Sequence, residues 1–538
     1  MKQYNNSDSK KTEASAKSYK KYAIKNFMMG TSYSLHPLET LKIIAASSIF
    51  GERSYYRDSQ DKPSVLKTIS PFAGICFSDF GGQSTTEVFT NAIDQALEYD
   101  FRETLELALK LRTEYFMRLN PAIIAIRAAL HPKRKMFNLK HGGYMRHILG
   151  SLILRPDDIT NQFEYYMFLN QRKNHLPSLI KRVWSDRLSS FSAYSINKYA
   201  SKSLIDLVRI CHANSPIIDE LMRTGKVAVP SSELTYQQLR SARKSWDEIF
   251  DTIRVPHMAL LRNLAGIFSK EKVSERLALT ILESLKQGVL HGKQFPYRYF
   301  SAYKEIQNAQ GIQHQSQILE CLEECMKLAT ENFPRLHGKT ISLCDNSGST
   351  RRTTTTEYGS VLISDIANLS GVITGMNSDE GHVGVFGDSL EIIPINPKKG
   401  VLSQHLHVCD VGTRQGMGTE NGIWMFFNKA ISQSLCYQNI FIYSDMQAGH
   451  GGLYGINPLE YEQYIYPQTG RNIDVLALVL AYRRKVNPYV NVFSVQVAGY
   501  DNSVLPENLY RTAILTGWTG KEVLYAKEMN ALWDRMQL

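Results

Sequence analysis

Ile341–Thr350 reads ISLCDNSGST, an apolar run that ends in Asp345, Ser347 and Ser349 at the spacing D-x-S-x-S. The apolar half, KTISLC from Lys339, has the β-branched character of a buried strand, and the polar half sits at its carboxyl end. Alone, the motif is open to three readings: the rim of an active site, a metal-binding hook, or a polar turn after a strand. Its surroundings narrow the choice. Downstream run EYGSVLISDIANLSGVIT, GHVGVFG, ENGIWMFFNKAISQSL, NIFIYSD, IDVLALVLAYRRK and NVFSVQVAG, in which β-rich stretches alternate with helix-like ones. Such alternation predicts a doubly wound α/β domain with a parallel sheet covered on both faces. Ligands of these sheets gather at the carboxyl ends of the strands. VLALVLAY, near residue 480, is the longest apolar run and reads as a buried strand too short to span a bilayer.

Upstream the texture differs. Amphipathic segments such as FRETLELALKLRTEYFM, PAIIAIRAAL, LPSLIKRVWSDRL, SLIDLVRICH, PHMALLRNLAGIF and QSQILECLEECMKLA follow one another from about residue 84 to 334, punctuated by Pro, Gly and Asn. Ser84-Thr85-Thr86-Glu87 has the pattern of a capping box. Many short helices with short turns predict a degenerate, HEAT-like helical array, an architecture that builds extended binding surfaces. Residues 1–22 are polar and lysine-rich and read as a basic tail with no secretory h-region. The expected division is therefore a tail over 1–22, a helical domain over 23–337 and an α/β domain over 338–538.

A length of 538 residues exceeds one ordinary core, and 43% hydrophobic with 21% charged residues describes a soluble globular protein. Seven scattered cysteines argue against a disulfide framework and for a reducing, cytoplasmic setting. Cys321 and Cys325, one helical turn apart, read as helix-face residues. Charge is uneven: 47 basic and 33 acidic residues precede Lys339, against 15 and 18 from there on. A basic front of this size points to a polyanionic partner, against solubility as the plainer account. Three clusters carry it. One holds Lys133, Arg134, Lys135 and Lys140 at a helix end or loop. The second holds Arg172, Lys173, Lys181, Arg182 and Arg187, and the third Lys198, Lys202, Arg209 and His212. Each alone reads as a solvated face. Together they make a basic surface on which Lys and Arg would neutralise phosphates while Tyr and His stack on bases.

Two later strand-end loops add oxygen ligands to the opening motif, Thr419 in GMGTEN and Asp445 in IFIYSDMQ. Two carboxylates and three hydroxyls suit a hard divalent cation, Mg²⁺ or Mn²⁺. His450, near Asp445, is the one obvious base for a metal-assisted hydrolase. HLHVC reads as a strand with His405, His407 and Cys409 on one face, either a transition-metal trio or a packing face.

On Asp345, Ser347, Ser349, Thr419 and Asp445 the region from about 339 to 538 resembles a von Willebrand factor A domain with a metal-ion-dependent adhesion site. It departs from the commonest form in GMGT for a double glycine and in Ser444 before Asp445, and neither change removes a ligand. With LPSLIKRVWSDRL, SINKYASKSLIDLVRICH, HMALLRNLAGIF, HGKQFPYRYFSAY and LETLKIIAASSIFGERSYY ahead of it, the chain resembles the Ro ribonucleoprotein family with its TROVE domain. That resemblance implies helical repeats closed into a ring. Single-stranded 3′ ends of misfolded RNAs would enter its hole, and a Y-like RNA would bind the outer basic surface. It further implies a possible tether to polynucleotide phosphorylase or another exoribonuclease, no membrane, no catalysis and a single protein copy per ribonucleoprotein. The family's Y RNA contacts fall on Lys198 and His212, and Lys202 stands for a family arginine across a small gap. A lysine-rich tail replaces the family's glycine-rich N-terminal segment. The competing readings are a protein-interaction scaffold acting through the metal and a metal-dependent nuclease.

Overall fold

The computed structural model describes residues 23–25, 31–34, 36–46, 55–57 and 85–535, apart from 115–116, 170–175, 230–233, 271–272, 293–295, 332, 352, 357–358, 418–419, 446–474, 498–501, 507–508 and 517–521. The basic tail and Ser84 of the capping-box pattern lie outside the described residues. The chain forms two compact units, one over Pro37–Tyr56 and Asp61–Val255, the other chiefly over Pro256–Leu538.

The first unit is helical, with helices Thr85–Tyr99, Phe101–Thr113, Leu119–Leu130, Arg134–His141, Tyr144–Ser151, Pro156–Leu169, Ser178–Ser190, Ala193–Lys198, Lys202–Cys211, Pro216–Thr224, Tyr236–Ser241 and Trp246–Thr252 among its described residues. Side-chain caps set several starts. Ser201 Oγ accepts from Leu204 N at 3.1 Å and Ser215 Oγ from Ile218 N at 3.2 Å, satisfying amides that a helix start leaves orphaned. Thr235 and Ser245 each form a full capping box. RKMFNLKH, expected at a helix end or loop, is the complete helix Arg134–His141, stopped by Gly142 at φ +56.

Several buried polar groups inside this unit are paired. Arg112 and Asp158 are both buried, and Arg112 Nη2 meets Asp158 Oδ2 at 2.7 Å. Arg112 Nε donates to Leu152 O, while Asp158 Oδ2 also accepts from Leu154 N and Arg155 N. Trp184 is buried with its indole N–H donating to Gln162 Oε1 at 2.8 Å. These bonds compensate the desolvation that burial imposes on each group.

The second unit begins with helices His257–Lys270, Glu275–Gly292, Pro296–Asn308 and Gln315–Glu331. Cys321 and Cys325 lie buried on the last of these, on the helix face expected for them. A six-stranded sheet follows: β1 Leu336–Asp345, β2 Ser378–Phe386, β3 Leu390–Ile395, β4 Asn439–Ser444, β5 Asn491–Gln496 and β6 Thr512–Thr516. Their order is β6-β5-β4-β1-β2-β3, parallel except for the β2–β3 pair. In the same unit, Ala23–Lys25 and Thr31–Ser34 pair with each other, and the second also pairs with Asn502–Ser503.

The sheet is covered on both faces, as its parallel strands require. Ile341 and Leu343 of β1 join a core with Ile423, Phe427, Leu478 and Tyr482, from helices Glu420–Ser432 and Val475–Lys485. The opposite face, with Ser342 and Cys344, meets helix Ile363–Met376. Gly371 of that helix comes so close that a Cβ there would stand 2.6 Å from Cys344 Sγ. Remaining helices are Val401–Thr413 and Glu522–Arg535. Two sequence expectations are overturned. VLALVLAY lies in helix Val475–Lys485, because an apolar run has no period and helices burying nearly their whole circumference look like buried strands. Its Tyr482 hydroxyl donates to Leu435 O at 2.6 Å and accepts from Tyr437 N at 2.8 Å. HLHVC is helical too, within Val401–Thr413. No helix among the described residues is long and apolar enough to cross a membrane.

Replacing Arg112 by Leu removes the 2.7 Å partner of the buried Asp158 carboxylate and leaves it Arg118, whose Nε is 3.9 Å from Oδ1. The expected cost is about 3–5 kcal/mol of stability, read by urea denaturation. A variant with both Arg112→Leu and Asp158→Leu should recover most of that loss, since two apolar groups leave no charge stranded.

Candidate metal and nucleic-acid sites

The strand order reverses between β1 and β4. From β1 the chain builds outward through β2 and β3, then returns to β4 on the other side. Register pairs Cys344 with Tyr443, so Asp345 and Asp445 leave adjacent strands at the same edge. This is the crevice in which doubly wound sheets hold ligands. Asp345 and Asp445 are both fully buried, and Ser347 is 1% exposed. Ser347 N donates to Asp345 Oδ1 at 2.9 Å, the Ser444 hydroxyl donates to Asp345 Oδ2 at 2.8 Å, and Ser347 Oγ lies 3.2 Å from Ser349 Oγ.

The loop is braced from behind. Thr350 Oγ1 donates to Asp345 O and Ser347 O. Arg351 reaches Asn346 O, Gly412 O and Gly416 O. Gly348 N donates to Met417 O at 2.8 Å, which ties the Gln415–Met417 segment to the motif. Thr419 and His450 lie outside the described residues. Burial first, and the Asp445 charge second, push the Asp345 carboxyl well above the usual carboxylate range. Two buried carboxylates facing each other fit a divalent cation, whose charge would reverse that shift, and the neighbouring hydroxyls supply hard oxygen ligands.

The basic residues separate into those that point outward and those that hold the fold. Lys135, Lys140, Arg182, Lys198, Lys202, Arg209 and His212 are exposed. Lys198 Nζ lies over the rings of Tyr194 and Tyr199, at 5.4 and 5.6 Å from their centroids. His212 ends helix Lys202–Cys211 in the left-handed conformation at φ +54, and its carbonyl accepts from the Ser185 hydroxyl. Lys181 lies close enough to Cys211 to oppose the upward push that burial gives its thiol.

Others are engaged. Lys133 pairs with Glu98 at 2.5 Å, and Arg134 Nη1 donates to Ala129 O. Arg187 donates through Nε and Nη2 to Ile153 O and stacks over Phe191. Arg172 and Lys173 lie outside the described residues. A cleft of about 620 Å³ beside Arg187, lined also by Arg146, His147 and Asp186, was missed by the sequence reading. Arg146 is bonded to Asp186 there. The signal available was HGGYMRH, a cation cluster after paired glycines.

His405 and Cys409 lie four residues apart on helix Val401–Thr413, so they share a face, whereas His407 is exposed on another. The third member of the group is Asp365, not His407.

The TROVE domain profile matches residues 222–354. A 63-residue stretch is 35% identical to telomerase protein component 1 of Mus musculus, covering 11% of this chain and only 2% of that protein. The crystal structure of the Deinococcus radiodurans RO (RSR) protein superposes with a TM-score of 0.54 at 12% identity. It covers 92% of this chain and 100% of that one, so the fold is shared.

In the absence of a cation, the fold holds the Asp345 proton more tightly than the unfolded chain does. This group's contribution to stability is therefore full below the ordinary aspartate pKa and is lost as pH rises toward the folded value. A divalent cation binds the deprotonated pair, so its stabilising effect grows over the same range. Mg²⁺ or Mn²⁺ should raise Tm more at about pH 8 than at about pH 5, and Asp345→Asn should remove that difference. Scanning calorimetry at both pH values reads it, and an equal shift at each would count against a cation on Asp345.

Proposed function

We propose that this chain, which matches the TROVE profile over residues 222–354 and shares its fold with the RO (RSR) protein, is the RNA-binding component of a ribonucleoprotein, without catalytic activity of its own. One observation carries the reading. Lys198 Nζ lies over the rings of both Tyr194 and Tyr199, and Arg182, Lys198, Lys202 and His212 are all exposed. An ammonium over aromatic rings offers a phosphate its charge while leaving ring faces near it on which bases stack. The proposal assigns a Y-like RNA to this surface and single-stranded 3′ ends of misfolded RNAs to the ring that the Ro resemblance implies. A partner exoribonuclease would process those ends in the cytoplasm.

A second reading, a scaffold that captures a partner's carboxylate through a cation, is favoured by the two buried aspartates at the sheet's switch point. Under it, Asp345→Ala abolishes the protein partner and leaves RNA binding intact.

The first reading is tested by RNA affinity against salt. Log affinity should fall with log salt by about 0.7 per phosphate contact. Lys198→Ala with Lys202→Ala should lower that slope by about 1.4 if each lysine holds one phosphate. The double variant should weaken a structured Y-like RNA more than a free 3′ end. A flat salt response of the unaltered protein would overturn the RNA-binding reading, and equal losses on both RNAs would overturn the assignment of two surfaces.

A further inference from the structure

Three donor atoms converge in the second unit at a place separate from the Asp345 loop. Asp365 lies in the first turn of helix Ile363–Met376, and His405 and Cys409 lie one turn apart on helix Val401–Thr413. We propose that Asp365, His405 and Cys409 form a second metal site, for a borderline-soft divalent ion of the Zn²⁺ class. It is unlike the oxygen-lined site in chemistry and independent of the RNA-binding reading.

The distances fit the coordination. Cys409 Sγ is 3.4 Å from Asp365 Oδ1 and 3.5 Å from His405 Nε2, and the three ligand atoms all lie within 4.8 Å of one another. Zn²⁺ bonds of about 2.0–2.3 Å at tetrahedral angles place neighbouring ligand atoms roughly 3.3–3.8 Å apart. The Asp365–Cys409 and His405–Cys409 separations fall in that range, and because Cys409 Sγ lies 3.7 Å from His405 Nδ1 as well as 3.5 Å from Nε2, the imidazole would turn to aim one nitrogen at the ion.

Donor chemistry selects the ion. One sulfur, one nitrogen and one oxygen make a poor shell for Mg²⁺ or Ca²⁺ and a good one for Zn²⁺, with a fourth position left for water. Charge points the same way: a thiolate and a carboxylate balance a divalent ion, so the buried site carries no net charge. His405 is fully buried, and burial holds it neutral by pushing its pKa down to about 3, which leaves a ring lone pair available. Its ring stands edge-on to Phe300, with centroids 4.9 Å apart at 90°. Cys409 is only partly buried, which gives the ion a way in.

The surroundings supply the second layer of contacts that metal sites require. Asn368 Nδ2 donates to Cys409 Sγ at 3.4 Å, opposing in part the upward push that burial and then the Asp365 charge give the thiol, a push that a bound cation would counter. The same Asn368 exchanges two 2.9 Å hydrogen bonds with Asn346, which sits between Asp345 and Ser347. A direct chain of contacts therefore joins the two sites. Lys304, from helix Pro296–Asn308, acts on both Asp365 and His405 by its charge and opposes the ion.

Co²⁺ is the probe, added to the full-length protein after chelator treatment and reduction. A thiolate-to-cobalt charge-transfer band should appear and saturate at one equivalent. Zn²⁺ should bleach it, and excess Mg²⁺ should not. Cys409→Ser should abolish the band, His405→Asn should weaken Co²⁺ binding at least about tenfold, and Asp345→Ala should leave the band in place. Because a variant can fail to fold, protection of the Cys409 thiol from alkylation by Zn²⁺ is measured on the unaltered chain by peptide mass mapping. No band, a band that survives Cys409→Ser, bleaching by Mg²⁺, or Cys409 alkylated equally fast with and without Zn²⁺ would each overturn the proposal.

Discussion

Two like charges are carried to a fully buried edge where β1 and β4 end side by side, and much of the α/β architecture follows from holding them there. Asp345 and Asp445 gain no relief from water, so neighbouring groups must supply it. A backbone amide and the Ser444 hydroxyl serve the first carboxylate, while Thr350 and Arg351 fix the loop that presents it. These bonds lower the cost of the deprotonated state without overcoming burial, which is why Asp345 stays raised. A cation fits as the missing counter-charge, and the loop is pre-formed around its place.

The helical unit solves the same problem by another route. Arg112 and Asp158 bury opposite charges together and spend their remaining donors and acceptors on backbone groups. Its outer face leaves cations in solvent, where holding them costs little and contact with a polyanion releases counterions. Placement by burial thus separates residues of one kind into different work. Arg187 braces a carbonyl, while Arg182, five residues earlier on the same helix, faces out.

Where the sequence misled, it did so for identifiable reasons. VLALVLAY has no charged residue to reveal its period, so a helix buried in the same core as helix Glu420–Ser432 looked like a strand. In HLHVC the alternation of His405, His407 and Cys409 is real, but its meaning depends on whether the period is 2 or 3.6. The helix keeps His405 with Cys409, sends His407 outward and brings in Asp365 from forty positions earlier. No spacing rule within one segment could have named that partner.

Two textures, helical before Lys339 and strand–helix alternating after it, are legible along the chain. So are the charge asymmetry and the D-x-S-x-S motif with Asp445 at strand ends, because periodicity, composition and strand-end polarity are local properties. Packing between distant segments settles which basic side chains are engaged and which stay exposed, that the two aspartates share one buried edge, and that Asp365, His405 and Cys409 meet. Those outcomes depend on strand order and helix packing between distant segments. Hydrophobic burial sets that packing over the whole core at once, not residue by residue along the chain.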